Sequence, residues 1–96
     1  MLTRNQSLKI LLVEDDPADV ALIEDLLGSF SEALFCVQAV KSLEAGEKCL
    51  QTAEFDAILL DLSAPDCLGG SEAIARLKAR SPTVPILVLT DINDED

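Results

Sequence analysis

The most constraining feature of this sequence is a regular alternation between short apolar segments and segments with helical periodicity. The apolar segments cover residues 8–13, 34–40, 55–60 and 85–90, and each has the length of a strand. Strands that alternate with helices at this spacing build a parallel sheet through right-handed βαβ crossovers. The sequence therefore predicts an α/β fold with a parallel sheet, rather than an antiparallel sandwich.

Local capping signals predict where the helices begin. Asp16 and Pro17 are typical of an N-cap followed by a first helical residue, and this helix fades near Gly28. Ser42 caps a second helix over residues 43–52, and a third helix covers about 71–80. The residues expected on the core-facing sides of the three helices are Val20, Ile23, Leu26, Leu27 and Phe30, then Gly46, Leu50 and Ala53, then Ile74 and Leu77. Gln38 interrupts the second strand, which favours a place at the edge of the sheet.

Length and composition predict one domain over residues 1–96 and exclude several kinds of chemistry. The 96 residues, 49% of them hydrophobic, can fill a single core. With no histidine, the chain cannot form a Ser-His-Asp or Cys-His nucleophile system, a His-ligated zinc site, or a phosphohistidine donor. The three cysteines show no C-x-x-C spacing, so we expect them to pack rather than to form disulfides.

Charge and hydropathy predict where the chain acts. The 18 acidic residues outnumber the 7 basic ones, which are scattered, so direct binding to nucleic acid is not expected. No segment approaches the roughly 18 apolar residues that a membrane span needs, and the N-terminus lacks a secretory signal. We therefore expect a cytoplasmic protein with no membrane association.

Polar side chains follow three of the predicted strands at the point where each strand ends. Glu14 and Asp15 follow the first strand, Asp61 follows the third, and Thr90 ends the fourth. In open parallel sheets, ligands bind beyond the carboxyl ends of the strands. If strands one and three are neighbours, three carboxylates and a hydroxyl share one small volume, and the repulsion between the acids calls for a counter-charge. Mg²⁺ fits such an oxygen-rich site, and one carboxylate could act as a nucleophile that forms an acyl phosphate.

These residues also have simpler explanations. Asp16 is better explained as a helix cap than as a ligand, because Asp-Pro at a helix start is a sufficient reason for its presence. Glu14 and Asp15, taken alone, could equally be solvated loop acids, and Thr90 alone indicates little. Their joint placement at three separate strand ends is what favours a functional site.

Three segments of the chain resemble the receiver domains of two-component response regulators. ILLVEDDP (10–17) resembles the acidic motif after the family's first strand, LLDLSAPDCLGG (59–70) its phosphoacceptor segment, and PILVLT (85–90) its fourth strand with the switch Thr. Each segment alone is moderately specific, but all three in this order and spacing form a strong match. The resemblance covers the whole chain but not a whole receiver: the family's fourth helix, its fifth strand with a phosphate-pairing Lys, and its fifth helix have no counterpart here.

The resemblance implies a fold, a site and a partner. The fold is a doubly wound parallel sheet of the flavodoxin-like receiver type, with strand order 2-1-3-4 and the fifth strand and last helices missing. Asp61 would be the phosphoacceptor, and Thr90 would donate a hydrogen bond to the phosphoryl group. Mg²⁺ would be held by Asp15 and Asp61, by Glu14 directly or through water, and by the backbone carbonyl of Ser63. A histidine kinase would supply the phosphoryl group, and an output domain would lie elsewhere in the full-length protein.

The resemblance also identifies smaller features of the segment around the site. Pro65 and Gly69 would shape the loop after the phosphoacceptor. Asp91 stands where the family usually has a small residue, and its charge would slow phosphorylation. Under this interpretation the chain is not a turnover enzyme, because it only catalyses its own phosphorylation.

Other functions compete with a phosphoacceptor. The main alternative is a phosphorylation-deficient receiver-like module for interaction or dimerisation, since the Lys is absent. A homodimer is expected in either case, because strand four (Ile86–Leu89) would be an apolar edge. A haloacid-dehalogenase-like phosphatase would need a second Asp where Ser63 stands. Calcium binding by residues 91–95 would need Gly in place of Asp96.

Overall fold

Strands and helices alternate along the chain as the sequence pattern predicts. The structure, a computed structural model, describes residues 7–29, 34–62, 66 and 70–89. The strands are β1 (Ser7–Val13), β2 (Leu34–Val40), β3 (Ala57–Asp61) and β4 (Ile86–Leu89), and the helices are α1 (Pro17–Gly28), α2 (Leu43–Thr52) and α3 (Gly70–Arg80). None of the described helices is both long enough and apolar enough to span a lipid bilayer.

The four strands form one parallel sheet in the order β2-β1-β3-β4. Residues opposite each other include Val13 and Val40 across β1 and β2, and Val13 and Leu60 across β1 and β3. This order confirms the predicted receiver-type fold class. It also confirms β2 as an edge strand and β1 and β3 as neighbours.

The core lies mainly on the face of the sheet that α2 and α3 cover. Alternate residues of a strand point to the same face, and those on this face are fully buried. The members of this core are Leu11, Val13, Leu43, Phe55, Ile58, Leu60, Ala73 and Leu77. Among the residues predicted to face the core, Leu77 and Gly46 are buried, and Leu50, Ala53 and Ile74 pack against it.

Helix α1 lies on the opposite face of the sheet, beside β2. Val20, Ile23 and Leu27 are half-buried, but Leu26 has 56% of its surface exposed, so its predicted place on the core-facing side is wrong. The physical reason is helical geometry: residues 20, 23 and 27 share one side of the helix, and residue 26 is rotated about 100° from residue 27. Phe30, the last residue of this predicted set, lies outside the described part of the chain.

Helix caps and strand ends match their predictions to within one or two residues. The Asp16 carboxylate accepts a hydrogen bond from the Ala18 N–H at 2.9 Å, and the Ser42 hydroxyl accepts one from the Ala45 N–H at 3.1 Å, so both predicted caps are confirmed. Strand β3 begins two residues later than predicted. Asp56 precedes the strand, and its side chain accepts a hydrogen bond from the Lys9 N–H at 2.8 Å.

Candidate functional site

Two buried acids lie where the two central strands end. Glu14 directly follows β1 and Asp61 is the last residue of β3, and these strands are paired. Glu14 has 3% of its surface exposed and Asp61 has 6%. Because parallel neighbours end at the same edge of the sheet, the two carboxylates are brought together there, as expected for strands one and three.

A third carboxylate reaches this point from α1. Oxygens of Glu14, Asp19 and Asp61 all lie within 4.8 Å of one another. The Asp16 cap fixes where the helix starts, and Asp19, three residues later, lies in its first turn. Asp19 was not among the ligands predicted from the sequence. An acid in the first turn is already explained by its favourable interaction with the helix dipole. The feature that could have identified Asp19 as a ligand is its position one turn after a helix cap that lies beside an acidic strand end.

The protonation of Glu14 reflects the crowding of these acids. Burial removes water from the carboxylate and, with a hydrogen bond to Asp61 and repulsion from Asp61 and Asp19, raises the pKa of Glu14 from 4.5 to about 8. The N–H of Asp16 donates to the Glu14 Oε2 at 3.1 Å and partly opposes this effect. Without a cation, this environment therefore favours the protonated form of Glu14 at neutral pH.

The donor set fits a hard divalent cation. All three groups offer carboxylate oxygens, the ligands that Mg²⁺ and Ca²⁺ prefer. Two of the acids, Glu14 and Asp61, are buried, and burial together with their closeness raises the pKa of Glu14. A bound cation would supply a positive charge to offset them.

The other predicted site residues fall in different places. Asp15 is exposed beside Glu14, and it is not one of the three acids whose oxygens gather. Ser63, Pro65, Gly69, Thr90 and Asp91 lie outside the described residues, so their roles remain predictions. Asp66 is described, and its carboxylate accepts hydrogen bonds from the start of α2.

An open groove extends from the acids between α1 and the end of β2. Its volume is about 260 Å³, and its lining includes Glu14, Asp15, Glu24 and Lys41. Lys41 is the basic residue among the described lining residues, so acids outnumber bases. This charge balance favours the approach of cations to the sheet edge.

Comparisons with known proteins agree with the fold and with the acidic sheet edge. The response regulator receiver domain model matches residues 10–96. Protein RcaC of Microchaete diplosiphon is 43% identical over 83 residues, which are 86% of this chain and 12% of RcaC. The transcriptional regulatory protein BasR of Escherichia coli (strain K12) is 30% identical over 83 residues, or 36% of BasR. The chain thus spans well under half the length of these relatives.

Two solved structures show the same fold. The receiver domain of the sensor histidine kinase PA1611 from Pseudomonas aeruginosa PAO1, with a magnesium ion coordinated in its active site cleft, is 32% identical with a TM-score of 0.73. That match covers 88% of this chain and 68% of the other. The phosphorylated cyanobacterial phytochrome response regulator RcpA is 29% identical with a TM-score of 0.71, over 92% of this chain and 69% of RcpA. The chain therefore belongs to the response regulator receiver domain family.

Proposed function

We propose that this chain receives a phosphoryl group on Asp61 from a histidine kinase, in a reaction that depends on Mg²⁺. The observation that carries the proposal is the placement of Asp61. It ends the central strand β3, is buried at the sheet edge, and shares a small volume with Glu14 and Asp19. The family match and the magnesium-bound receiver of PA1611 support the same assignment.

The proposed chemistry uses Asp61 as the nucleophile. A carboxylate oxygen of Asp61 attacks the phosphorus of a phosphohistidine, a P–O bond forms as the P–N bond breaks, and the departing imidazole takes up a proton. The product is an acyl phosphate on Asp61. Thr90, by resemblance, would donate a hydrogen bond to a phosphoryl oxygen.

The acids at the sheet edge, Asp61 included, would hold the cation. The resemblance assigns Asp15, Asp61, Glu14 and the Ser63 carbonyl to Mg²⁺, and the geometry adds Asp19. When bound, Mg²⁺ would offset the negative charge of the incoming phosphoryl group. Glu14 would give up its proton when the cation binds, because the positive charge would offset the burial and the repulsion from Asp61 and Asp19 that raise its pKa.

The partners follow from the proposed role. A histidine kinase supplies the phosphoryl group, and an output domain elsewhere in the full-length protein would read the phosphorylated state. We place this exchange in the cytoplasm, as the sequence predicts. The chain would catalyse its own phosphorylation without turning over an external substrate.

An interaction module without phosphotransfer is the second candidate. The observation that favours it is a set of exposed apolar side chains: Leu22 and Leu26 on α1 are 52% and 56% exposed, and Leu87 and Val88 on β4 are 52% and 39% exposed. Binding of beryllium fluoride with Mg²⁺ would separate the two candidates. A phosphoacceptor binds this phosphoryl analogue at Asp61, whereas a module that only binds partners does not.

Incubation with acetyl phosphate and Mg²⁺ tests the main proposal directly. Mass spectrometry after proteolysis should locate the adduct on Asp61, and Asp61→Asn should abolish it. An adduct on Asp66 or Asp16 instead of Asp61 would refute the assignment.

A further inference from the structure

Lys41 lies in one row with the proposed phosphoacceptor across the edge of the sheet. Val13 of β1 stands opposite Val40 of β2 and Leu60 of β3. The residues that follow these three along the chain form the next row: Lys41, Glu14 and Asp61. The Glu14 N–H donates to the Val40 carbonyl at 2.9 Å, so the pairing of β1 with β2 continues to the point where Lys41 begins. Lys41 is therefore two strands away from Asp61, with Glu14 between them.

The side chain of Lys41 lies on the side of the sheet that carries α1. Val40, just before it, packs against the core on the opposite side, and successive side chains of an extended chain point to opposite faces. Lys41 is exposed and lines the open groove together with Val20 and Ala21 of α1. Glu14 lines the same groove. The ammonium group and the buried acids therefore share one side of the sheet edge.

The distance and the surroundings make the charge of Lys41 its important property. Neighbouring strands lie about 4.8 Å apart, so roughly 10 Å separates the backbones of Lys41 and Asp61. No described carboxylate lies within ion-pairing distance of the Lys41 ammonium group. Over such a distance a charge acts through its field, and salt screens that field.

The site repels the group that it is proposed to accept. The acids at this edge are Glu14, Asp15, Asp19 and Asp61. The whole chain carries a net charge of −11, and a phosphoryl donor is an anion, so the field of the protein opposes its approach. The other described bases lie outside the groove: Lys9, Lys48, Arg76, Lys78 and Arg80. Lys41 is the described base that is placed to reduce the repulsion locally.

We infer that Lys41 sets the electrostatic balance of the proposed phosphoacceptor site: its charge draws the anionic phosphoryl donor towards Asp61 and opposes the binding of the divalent cation. This inference rests on the proposed function. A positive charge acts with opposite sign on an anion and on a cation, so its removal should slow the reaction with the donor and strengthen the binding of the metal. A side chain that only stabilised the fold would weaken both.

The experiment compares Lys41→Gln with the parent chain in two measurements at neutral pH. NMR titration gives the Mg²⁺ affinity, and mass spectrometry at saturating Mg²⁺ gives the rate at which acetyl phosphate modifies Asp61 with release of acetate. Lys48→Gln is the matched control, because it makes the same change of charge on α2, where the Lys48 side chain is 72% exposed. Lys41→Arg keeps the charge and should behave like the parent. Urea midpoints check that each variant folds.

The expected changes are modest, opposite in sign and dependent on salt. At roughly 0.05 M ionic strength, Lys41→Gln should bind Mg²⁺ about two- to fourfold more tightly and react with acetyl phosphate about two- to fourfold more slowly, as one charge about 10 Å from a divalent ion requires. At about 1 M, where the Debye length falls to about 3 Å, both differences should disappear. Lys48→Gln should change either quantity by less than about 1.5-fold.

The outcomes distinguish the inference from the proposed function. An unchanged Mg²⁺ affinity and rate in Lys41→Gln would overturn the inference alone, as would weaker Mg²⁺ binding together with a slower reaction. Equal changes in Lys48→Gln would assign the effect to net charge and overturn the role of Lys41, and differences that persist at about 1 M salt would overturn its electrostatic origin. A parent chain that binds neither Mg²⁺ nor beryllium fluoride would overturn the proposed function and the inference together.

Discussion

At the scale of single residues, Glu14 shows how the fold changes the chemistry of an ordinary side chain. Its raised pKa means that the folded state binds a proton more tightly than the unfolded state does. The stability that this proton provides is complete below the unfolded value of 4.5 and is lost as the pH rises to about 8. Burial of Glu14 beside Asp61 should therefore make the metal-free protein less stable in mild alkali than in mild acid.

Glu14→Gln tests this pH dependence. Glutamine keeps the size of the side chain and removes the charge, so the variant should lose the dependence that arises from residue 14. At pH 8 we expect it to be more stable than the parent by about 1–3 kcal/mol, since one pKa unit corresponds to about 1.4 kcal/mol. Urea unfolding at pH 5, 7 and 8.5 measures the effect, and Glu54→Gln, at an exposed position, is the control. A parallel pH dependence in the parent and Glu14→Gln would contradict the prediction.

The resemblance and the described geometry each add a different carboxylate to Glu14 and Asp61 as a metal ligand, and the two can be compared directly. The resemblance selects Asp15, whereas the geometry selects Asp19. We expect Asp15→Asn and Asp19→Asn each to weaken Mg²⁺ binding by about tenfold, the scale typical of damage to a metal site. Asp25→Asn is the control, because Asp25 is exposed further along α1. Titration calorimetry decides the matter: an Asp15→Asn variant that binds as well as the parent would remove Asp15 from the ligand set.

The sequence predicts some of these residues and not others for a physical reason. Glu14 and Asp61 follow apolar strands directly, so the local pattern already shows that they lie at the sheet edge. Asp19 and Asp66 acquire their roles from contacts with distant parts of the chain. Nothing near Asp66 in the sequence indicates that it binds the amides of Leu43 and Glu44.

At the scale of helices and strands, the boundaries are predictable where a local signal sets them. Asp16, Pro17 and Ser42 fix the starts of α1 and α2, and the structure confirms both. The side of α1 that faces the sheet is less predictable, because apolar residues occur almost all round it. The packing of α1 against β2 decides which of them are buried, and it leaves Leu22 and Leu26 exposed to solvent.

Gly46→Ala probes the close contact between α2 and β1. The added methyl group would lie 3.2 Å from Val13 Cγ2, in a region where both residues are buried. Overpacking a core typically costs about 1–3 kcal/mol, and alanine recovers about 1 kcal/mol of helix propensity. We expect a net loss of about 1 kcal/mol in the free energy of unfolding, measured by urea denaturation. Gly28→Ala, where a Cβ would meet nothing within 4 Å, should be neutral or stabilising, and a similar result at Gly46 would refute the predicted contact.

At the scale of the whole molecule, the sheet leaves apolar residues at its β4 edge. Among the described residues no strand pairs with the outer side of β4, and Leu87 and Val88 remain exposed there. Such an edge can template pairing with another chain, and burial of a leucine side chain is worth roughly 1.5–3 kcal/mol. The net charge of −11 opposes association, but salt screens it.

We therefore expect a homodimer at micromolar concentration in physiological salt, detectable by light scattering. Leu87→Glu should shift the chain to monomer. Leu34→Glu should not, because Leu34 is comparably exposed (58%) but lies at the opposite edge of the sheet. A stable monomeric parent that binds no hydrophobic dye would rule out the prediction.

The strand order also means that the sheet cannot form from neighbouring segments of the chain alone. Every pairing in the sheet joins distant parts of the chain: Ser7 lies opposite Leu34, Leu11 opposite Ile58, and Ile58 opposite Ile86. No two of the described strands form a hairpin, because all of their pairings are parallel, and such non-local pairings are slow to form. Strand β1 leaves the ribosome first, yet its second partner, β3, ends only at Asp61. Until then the apolar run from Ile10 to Val13 stays unpaired on one side, and an exposed strand edge of this kind is prone to aggregation during synthesis.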